Sequence, residues 1–359
     1  MDGTAIILAN GYLNSDYAKT SHGLIRGTDR YEILAVIDPQ TAGMDAGIVT
    51  DNIKRDIPVF DTIAAMKATI KRQVDYGIVG VATKGGIIPE ALMNDIVEAI
   101  KEGYTIINGL HQYLGDRPEL VQLAQTYGTR LVDIRKPKPA AELKFWSGKI
   151  YSVDTPIVAV LGTDCSLGKR TTARFLRDST RKAGLSSEMI FTGQTGWLQG
   201  GRYGFIFDAT LNDFVSGELE HAIVTCHEEV NPDIIFVEGQ AALLNPSGPC
   251  GSEFIISGNC RGVVLQHSPA REFYSGWEDL KLRIPPIEQN IKLVESLGAK
   301  VLALTLNTKD ISPENARNYQ KEYEKKLQIP VILPVEEGTD ALNHVFKDYV
   351  KNFRNGDNL

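Results

Sequence analysis

Residues 157–184, IVAVLGTDCSLGKRTTARFLRDSTRKAG, constrain the fold of this chain more than any other stretch. Ile157 to Leu161 form an apolar run of the kind that makes a buried strand. A glycine-bounded loop follows, Gly162 to Gly168, and Lys169, Arg170, Thr171 and Thr172 then open a segment with apolar residues near helical spacing. Strand, glycine loop and helix with a lysine at its start make a phosphate cradle. Glycines let backbone N–H groups converge on the anion, the helix N-terminus adds its dipole, and lysine brings a mobile positive charge. The candidate ligand-holding residues are Gly162, Thr163, Asp164, Ser166, Gly168, Lys169, Arg170 and Thr171. The plain alternative is a glycine-rich turn that holds nothing.

The spacing departs from the usual P-loop. Five residues rather than four separate the glycines, and Arg170 stands where a magnesium-binding hydroxyl is expected, with Thr171 one place later. In this the loop resembles the GTDTxxGKT form of dethiobiotin synthetase. A phosphate-bearing ligand is expected; its hydrolysis does not follow from the loop.

Length and composition allow two α/β domains and exclude several function classes. The 359 residues are 43% hydrophobic and 23% charged, enough for ordinary cores. No apolar run approaches the roughly 20 residues of a membrane span, and the N-terminus runs from MDGT into the strand-like AIILAN without a basic region. The net charge of −7 argues against a general nucleic-acid binder. Cys165, Cys226, Cys250 and Cys260 show no CxxC spacing, so neither zinc nor a disulfide framework is expected. These features read as a cytoplasmic protein with no membrane or nucleic-acid partner and no bound metal.

Residues 1–137 alternate strand and helix patterns in the manner of a Rossmann-like domain. Strands are predicted at 5–10, 32–38, 76–83, 105–110 and 129–135, with helices near 16–25, 61–72 and 89–101. The GxGxxG fingerprint is missing, since only Gly11 stands in the first turn, and Asp38, directly before Pro39, reads as a cap or turn residue. Loops after parallel strands are where such sheets bind ligands, which makes Lys84 and His111 candidates against the alternative of solvated loop residues. The Pro- and Lys-rich stretch 138–153 reads as a linker, and 154–359 as a P-loop domain.

Within that second half, EMIFTGQTGWLQGG gives a short strand and a glycine-rich loop containing Gln194. Asp208 and Asp213 stand just ahead of a helix, where they cap it or, downstream of a phosphate loop, hold Mg²⁺ or a substrate amine. Strand Ile234–Val237 ends in Glu238, the position of the second acidic residue of P-loop folds, where a carboxylate holds a metal through water or acts as a base, against the alternative of a solvent-facing strand end. His267 ends another strand, and Arg271 follows it with the planar fork that suits a carboxylate. Asn307 ends the strand KVLALTLNT.

Taken together, GVATKGGIIP, INGLHQYLGD, LGTDCSLGKRTTA, TGQTGW, DFVSGELE, VEGQAAL, QHSPAREFYSGWE and IPPIEQNIKLVESLGAKVLALTLN resemble a bacterial family long catalogued as a domain of unknown function. Its members join a Rossmann-like N-terminal half to a P-loop half of the dethiobiotin-synthetase type. The activity assigned within it is N-acetylation of D-glutamate from acetyl-CoA, in D-amino-acid catabolism. The resemblance thus implies acetyl-CoA as cosubstrate and a small amino acid as acceptor, and a homodimer or higher homo-oligomer is expected. Glu238, His267 or Asp213 would act as base; Arg271, Gln194 and Lys84 would contact the amino acid; Asn307 matches the strand-end asparagine that contacts adenine in dethiobiotin synthetase. Two other readings stay open: an ATP- and Mg²⁺-dependent ligase or kinase, and a nucleotide-binding protein without turnover.

Overall fold

The computed structural model describes residues 1–356, apart from the side chain of Lys84. The chain divides into two units, 1–137 with 194–200, and 138–193 with 201 onward.

The first unit is a six-stranded sheet of parallel strands: β1 Gly3–Leu8, β2 Tyr31–Ile37, β3 Val59–Phe60, β4 Tyr76–Val79, β5 Thr105–Asn108 and β6 Leu131–Asp133. Their order, β3-β2-β1-β4-β5-β6, is that of the Rossmann fold. Alternate residues of β1 serve opposite faces. Ile6 and Leu8 pack with Leu92 and Ile96 of the helix Glu90–Lys101, while Ala5 and Ile7 pack with Leu24 and Ile25. That second cluster also contains Leu198. The stretch read from sequence as a glycine-rich loop is therefore a short helix, Gln194–Leu198, whose leucine completes the core of the first unit. Gln199 fixes it by donating to the carbonyls of Gly23 and Gly27, and Arg30 lies 4.2 Å over the Trp197 ring.

The second unit holds β7 Ile157–Gly162, β8 Ser187–Phe191, β9 Tyr203–Gly204, β10 Ile234–Glu238, β11 Gly262–His267, β12 Lys300–Leu306 and β13 Val331–Ile332. All pair in parallel, in the order β13-β12-β11-β7-β10-β8-β9. Every residue of β7 is buried, as a central parallel strand covered on both faces requires. Val158 and Val160 face a cluster with Phe236, Val264 and Phe346, and Ala159 and Leu161 face Val237, Leu219 and Ile223.

The stretch 138–153, expected as a linker, is anchored to this unit. Glu218 and Glu220, both buried on the helix Asn212–Val230, accept the backbone N–H groups of Lys144, Ser147 and Ile150 at 2.9, 2.6 and 3.1 Å. Gly217 lets the segment lie against the helix: a Cβ there would meet the Lys144 carbonyl at 2.1 Å. The motif SGELE is thus a docking surface for the chain's own preceding segment. Burial works against ionisation of Glu220, but the Ser147 and Ile150 amides outweigh it and hold its carboxyl below the usual range.

Replacing Glu220 by Ala leaves those buried amides without an acceptor. The expected cost is about 2 kcal/mol or more, read by urea unfolding, together with faster proteolysis within 138–150. Unchanged stability and cleavage would mean that the segment is held by its side chains alone.

Candidate phosphate-loop site

Strand β7 runs into the loop Thr163–Gly168, and the helix Lys169–Lys182 begins directly after it. Gly168 adopts φ 102°, a conformation that a side chain would strain, and so turns the chain into the helix. The amides of the helix's first turn are left without intrahelical partners and face the loop.

Asp164 organises the loop from inside. Its carboxylate is fully buried. Oδ1 accepts the Cys165 N–H at 2.7 Å and Asn245 Nδ2 at 3.0 Å, and Oδ2 accepts Arg271 Nη1 at 2.8 Å and the Ser275 N–H at 2.9 Å. A buried carboxylate persists only with such partners. Lys169 is buried as well, its Nζ donating to the carbonyls of Asp164 and Ala241 at 2.8 and 2.7 Å. Burial pulls this ammonium down to about 8. Two of its three protons are committed, which leaves one for an incoming anion.

Glu238 ends β10, whose register sets it opposite Val160 of β7. It is buried, and its Oε2 accepts the Thr192 N–H at 3.0 Å. Burial pushes its carboxyl above the usual range, against the opposing pull of Arg170, the Thr192 amide and Lys169. Thr192 in turn donates its hydroxyl to the Glu238 carbonyl and accepts Gln240 Nε2. The carboxylate is therefore fixed in place and close to the charges of the loop.

At the end of β11, Gln266 Oε1 accepts the hydroxyls of Thr172 and Thr305, at 2.6 and 2.7 Å. His267 Nδ1 lies 2.9 Å from Thr163 Oγ1, and Nε2 lies 3.3 Å from the Tyr323 hydroxyl. Burial, helped by Arg271, lowers this imidazole to about 4. It stands neutral between two hydroxyls.

Residues 144–343 match the P-loop domain, and residues 39–137 the Rossmann-like domain, of the family described as domain of unknown function 1611. The chain belongs to the DUF1611 family. It is similar to two proteins named D-glutamate N-acetyltransferase, from a Pseudoalteromonas species and from Tritonibacter scottomollicae. Each is 30% identical, over 74% of this chain and 79% of its own length. The crystal structure of a DUF1611 protein from Anabaena variabilis is 27% identical and superposes with a TM-score of 0.87, covering 96% of this chain and 99% of its own.

In this DUF1611 chain the expected residues separate into groups. Thr163, Asp164, Lys169, His267 and Arg271 are joined by hydrogen bonds around the loop, and Glu238 acts electrostatically with Lys169 and Arg170. Ser166 is exposed on the loop, and Thr171 is half-buried on the helix. Arg271, expected to clamp a substrate carboxylate, instead closes the ion pair with Asp164 and donates to the Cys165 carbonyl. Asn307, expected on adenine, donates to the Leu167 carbonyl and so braces the loop. Asp213 lies exposed in the first turn of its helix, where its charge suits the helix dipole, with no bond to the loop among the described residues. Asp208 is exposed in a short turn before that helix. Gln194 belongs to the first unit, accepting Arg135 Nη2 at 3.0 Å. The Lys84 side chain lies outside the described residues. His111 is exposed.

Asp38 is buried, and its carboxylate is saturated by the N–H groups of Gly11, Leu13, Gln40 and Thr41 and by the Thr41 hydroxyl. It is a turn organiser. Asn245, Thr192, Gln266 and Tyr323 were not singled out from sequence, because their partners are distant in the chain and no local spacing marks them.

The neutral His267 makes the fold acid-sensitive. An unfolded imidazole takes a proton near 6.5, whereas the folded one resists until about 4. Stability is thus lost as pH falls through that window, because the unfolded chain binds the extra proton. His267→Gln should remove up to about 3 kcal/mol of this loss, measured by urea unfolding on both sides of the window. Equal pH sensitivity in the variant would overturn the assignment.

Proposed function

We propose that this protein transfers the acetyl group of acetyl-CoA to the amine of D-glutamate or a closely related D-amino acid. The observation that carries this reading is the buried, fixed Glu238 carboxylate beside a phosphate loop, in a chain 30% identical to proteins named for that activity.

The chemistry needs three things from the protein. The first is a grip on the donor: coenzyme A carries a pyrophosphate, which suits the positive end of the helix dipole and the remaining proton of Lys169. A polyanion also favours the charged lysine and so opposes the effect of burial. The second is a base. The amino acid arrives as an ammonium, and its nitrogen attacks only after losing a proton. A carboxylate raised by burial is a better acceptor than an ordinary one. The nitrogen then adds to the thioester carbonyl carbon and gives up a second proton, the oxyanion collapses, and the carbon–sulfur bond breaks, the leaving thiolate taking up a proton to become the thiol. The third is a dry and rigid frame, which the Asp164, Gln266 and His267 hydrogen bonds provide. In this scheme His267 is a positioning residue: at about 4 its imidazole is a weak base, and both its nitrogens face hydroxyls.

The test is release of coenzyme A thiol from acetyl-CoA, without ATP, in the presence of D-glutamate, of L-glutamate or of neither. Release that requires D-glutamate is expected. Absence of release, together with Mg²⁺-dependent ATP hydrolysis, would overturn the reading in favour of a ligase. Glu238→Gln should lower kcat about a hundredfold or more. Its melting temperature at neutral pH should be equal or higher, because a carboxyl raised by folding destabilises the native state once ionised.

A further inference from the structure

P-loop sites commonly hold their phosphate with Mg²⁺, bound by the hydroxyl that follows the lysine and balanced by a strand-end acid. The residues here do not fit that ion. The hydroxyl position is Arg170, which offers no lone pair and repels a cation. Thr172, the hydroxyl two places on, is buried and donates to Gln266 at 2.6 Å. Thr171 lies about 100° further round the helix from Arg170. Of the two acids, Asp164 has both oxygens filled by Cys165, Asn245, Arg271 and Ser275. Glu238 already stands among fixed cations: Arg170 comes first, ahead of Lys169, among the charges that favour its ionised form. Lys169 donates to the Asp164 carbonyl, Arg271 pairs with the Asp164 carboxylate, and Arg170 and Lys169 both favour the ionised Glu238, so cationic side chains already do around these acids what an ion would do.

We infer that Arg170 takes the place of the divalent cation, so that this loop binds a pyrophosphate-bearing ligand without metal. The inference rests on the phosphate-loop reading proposed above. The guanidinium already favours the ionised strand-end carboxylate, and holding the ligand's phosphates as well would give it both tasks of an ion bound by the hydroxyl. Unlike an ion it cannot be removed by a chelator, and its fork geometry suits two phosphate oxygens at once.

Calorimetric binding of coenzyme A and of ADP, each in Mg²⁺ and in EDTA, tests this on the wild-type protein. Affinity for the better of the two should change by less than about twofold. Tightening by tenfold or more in Mg²⁺ would overturn the inference. Arg170→Ser, which restores a hydroxyl, should bind about tenfold or more weakly in EDTA and regain part of the loss in Mg²⁺. Arg170→Ser that binds like wild type in EDTA would also overturn it. Lys169→Ala separates the two levels of the argument. Loss of binding in Lys169→Ala with none in Arg170→Ser sinks only the role of Arg170. Unchanged binding in both variants sinks the phosphate-loop reading itself.

Discussion

The buried carboxylate of Asp164 is the constraint on which the P-loop unit depends. A fully buried charge is tolerated only when paired and hydrogen-bonded, and breaking such a pair typically costs about 3–5 kcal/mol. Here the partners come from three places in the chain: the next residue, the loop at Asn245, and the loop after β11 with Arg271 and Ser275. Satisfying one carboxylate therefore fixes three segments at once. The phosphate loop gains its shape from this acid, which is why Arg271 serves the loop rather than waiting for a substrate.

The remaining charges divide the labour. Lys169 is held by two carbonyls and keeps one proton in hand. Glu238 is held by a backbone amide and raised by burial, so it is both placed and basic. His267 is lowered and neutral, a spacer between Thr163 and Tyr323. Burial acts in opposite directions on the acid and on the bases because it always disfavours the charged form.

Much of the fold was legible from pattern. The apolar runs at 157–161, 234–237 and 301–306 become fully buried parallel strands, and the change from runs to helical spacing marks the helices between them. The two-residue strands Val59–Phe60 and Tyr203–Gly204 were not, since so short a run carries no period. The segment around Gln194 misled for a different reason. Its glycines signal a loop, while its Leu198 joins a core whose other buried residues lie between Ala5 and Ile107, far earlier in the chain.

The sequence by itself determined the two parallel α/β units, the phosphate loop and the identity of the strand-end acid, because glycine placement, strand runs and a lysine at a helix start are local properties. Only the tertiary structure decided what each polar residue is for. It turned Arg271 and Asn307 inward to brace the loop, gave His267 two hydroxyl partners, and docked the Pro- and Lys-rich stretch on Glu218 and Glu220. A side chain's role follows from which buried group needs a partner, and that need exists only once distant segments have been brought together and water has been excluded.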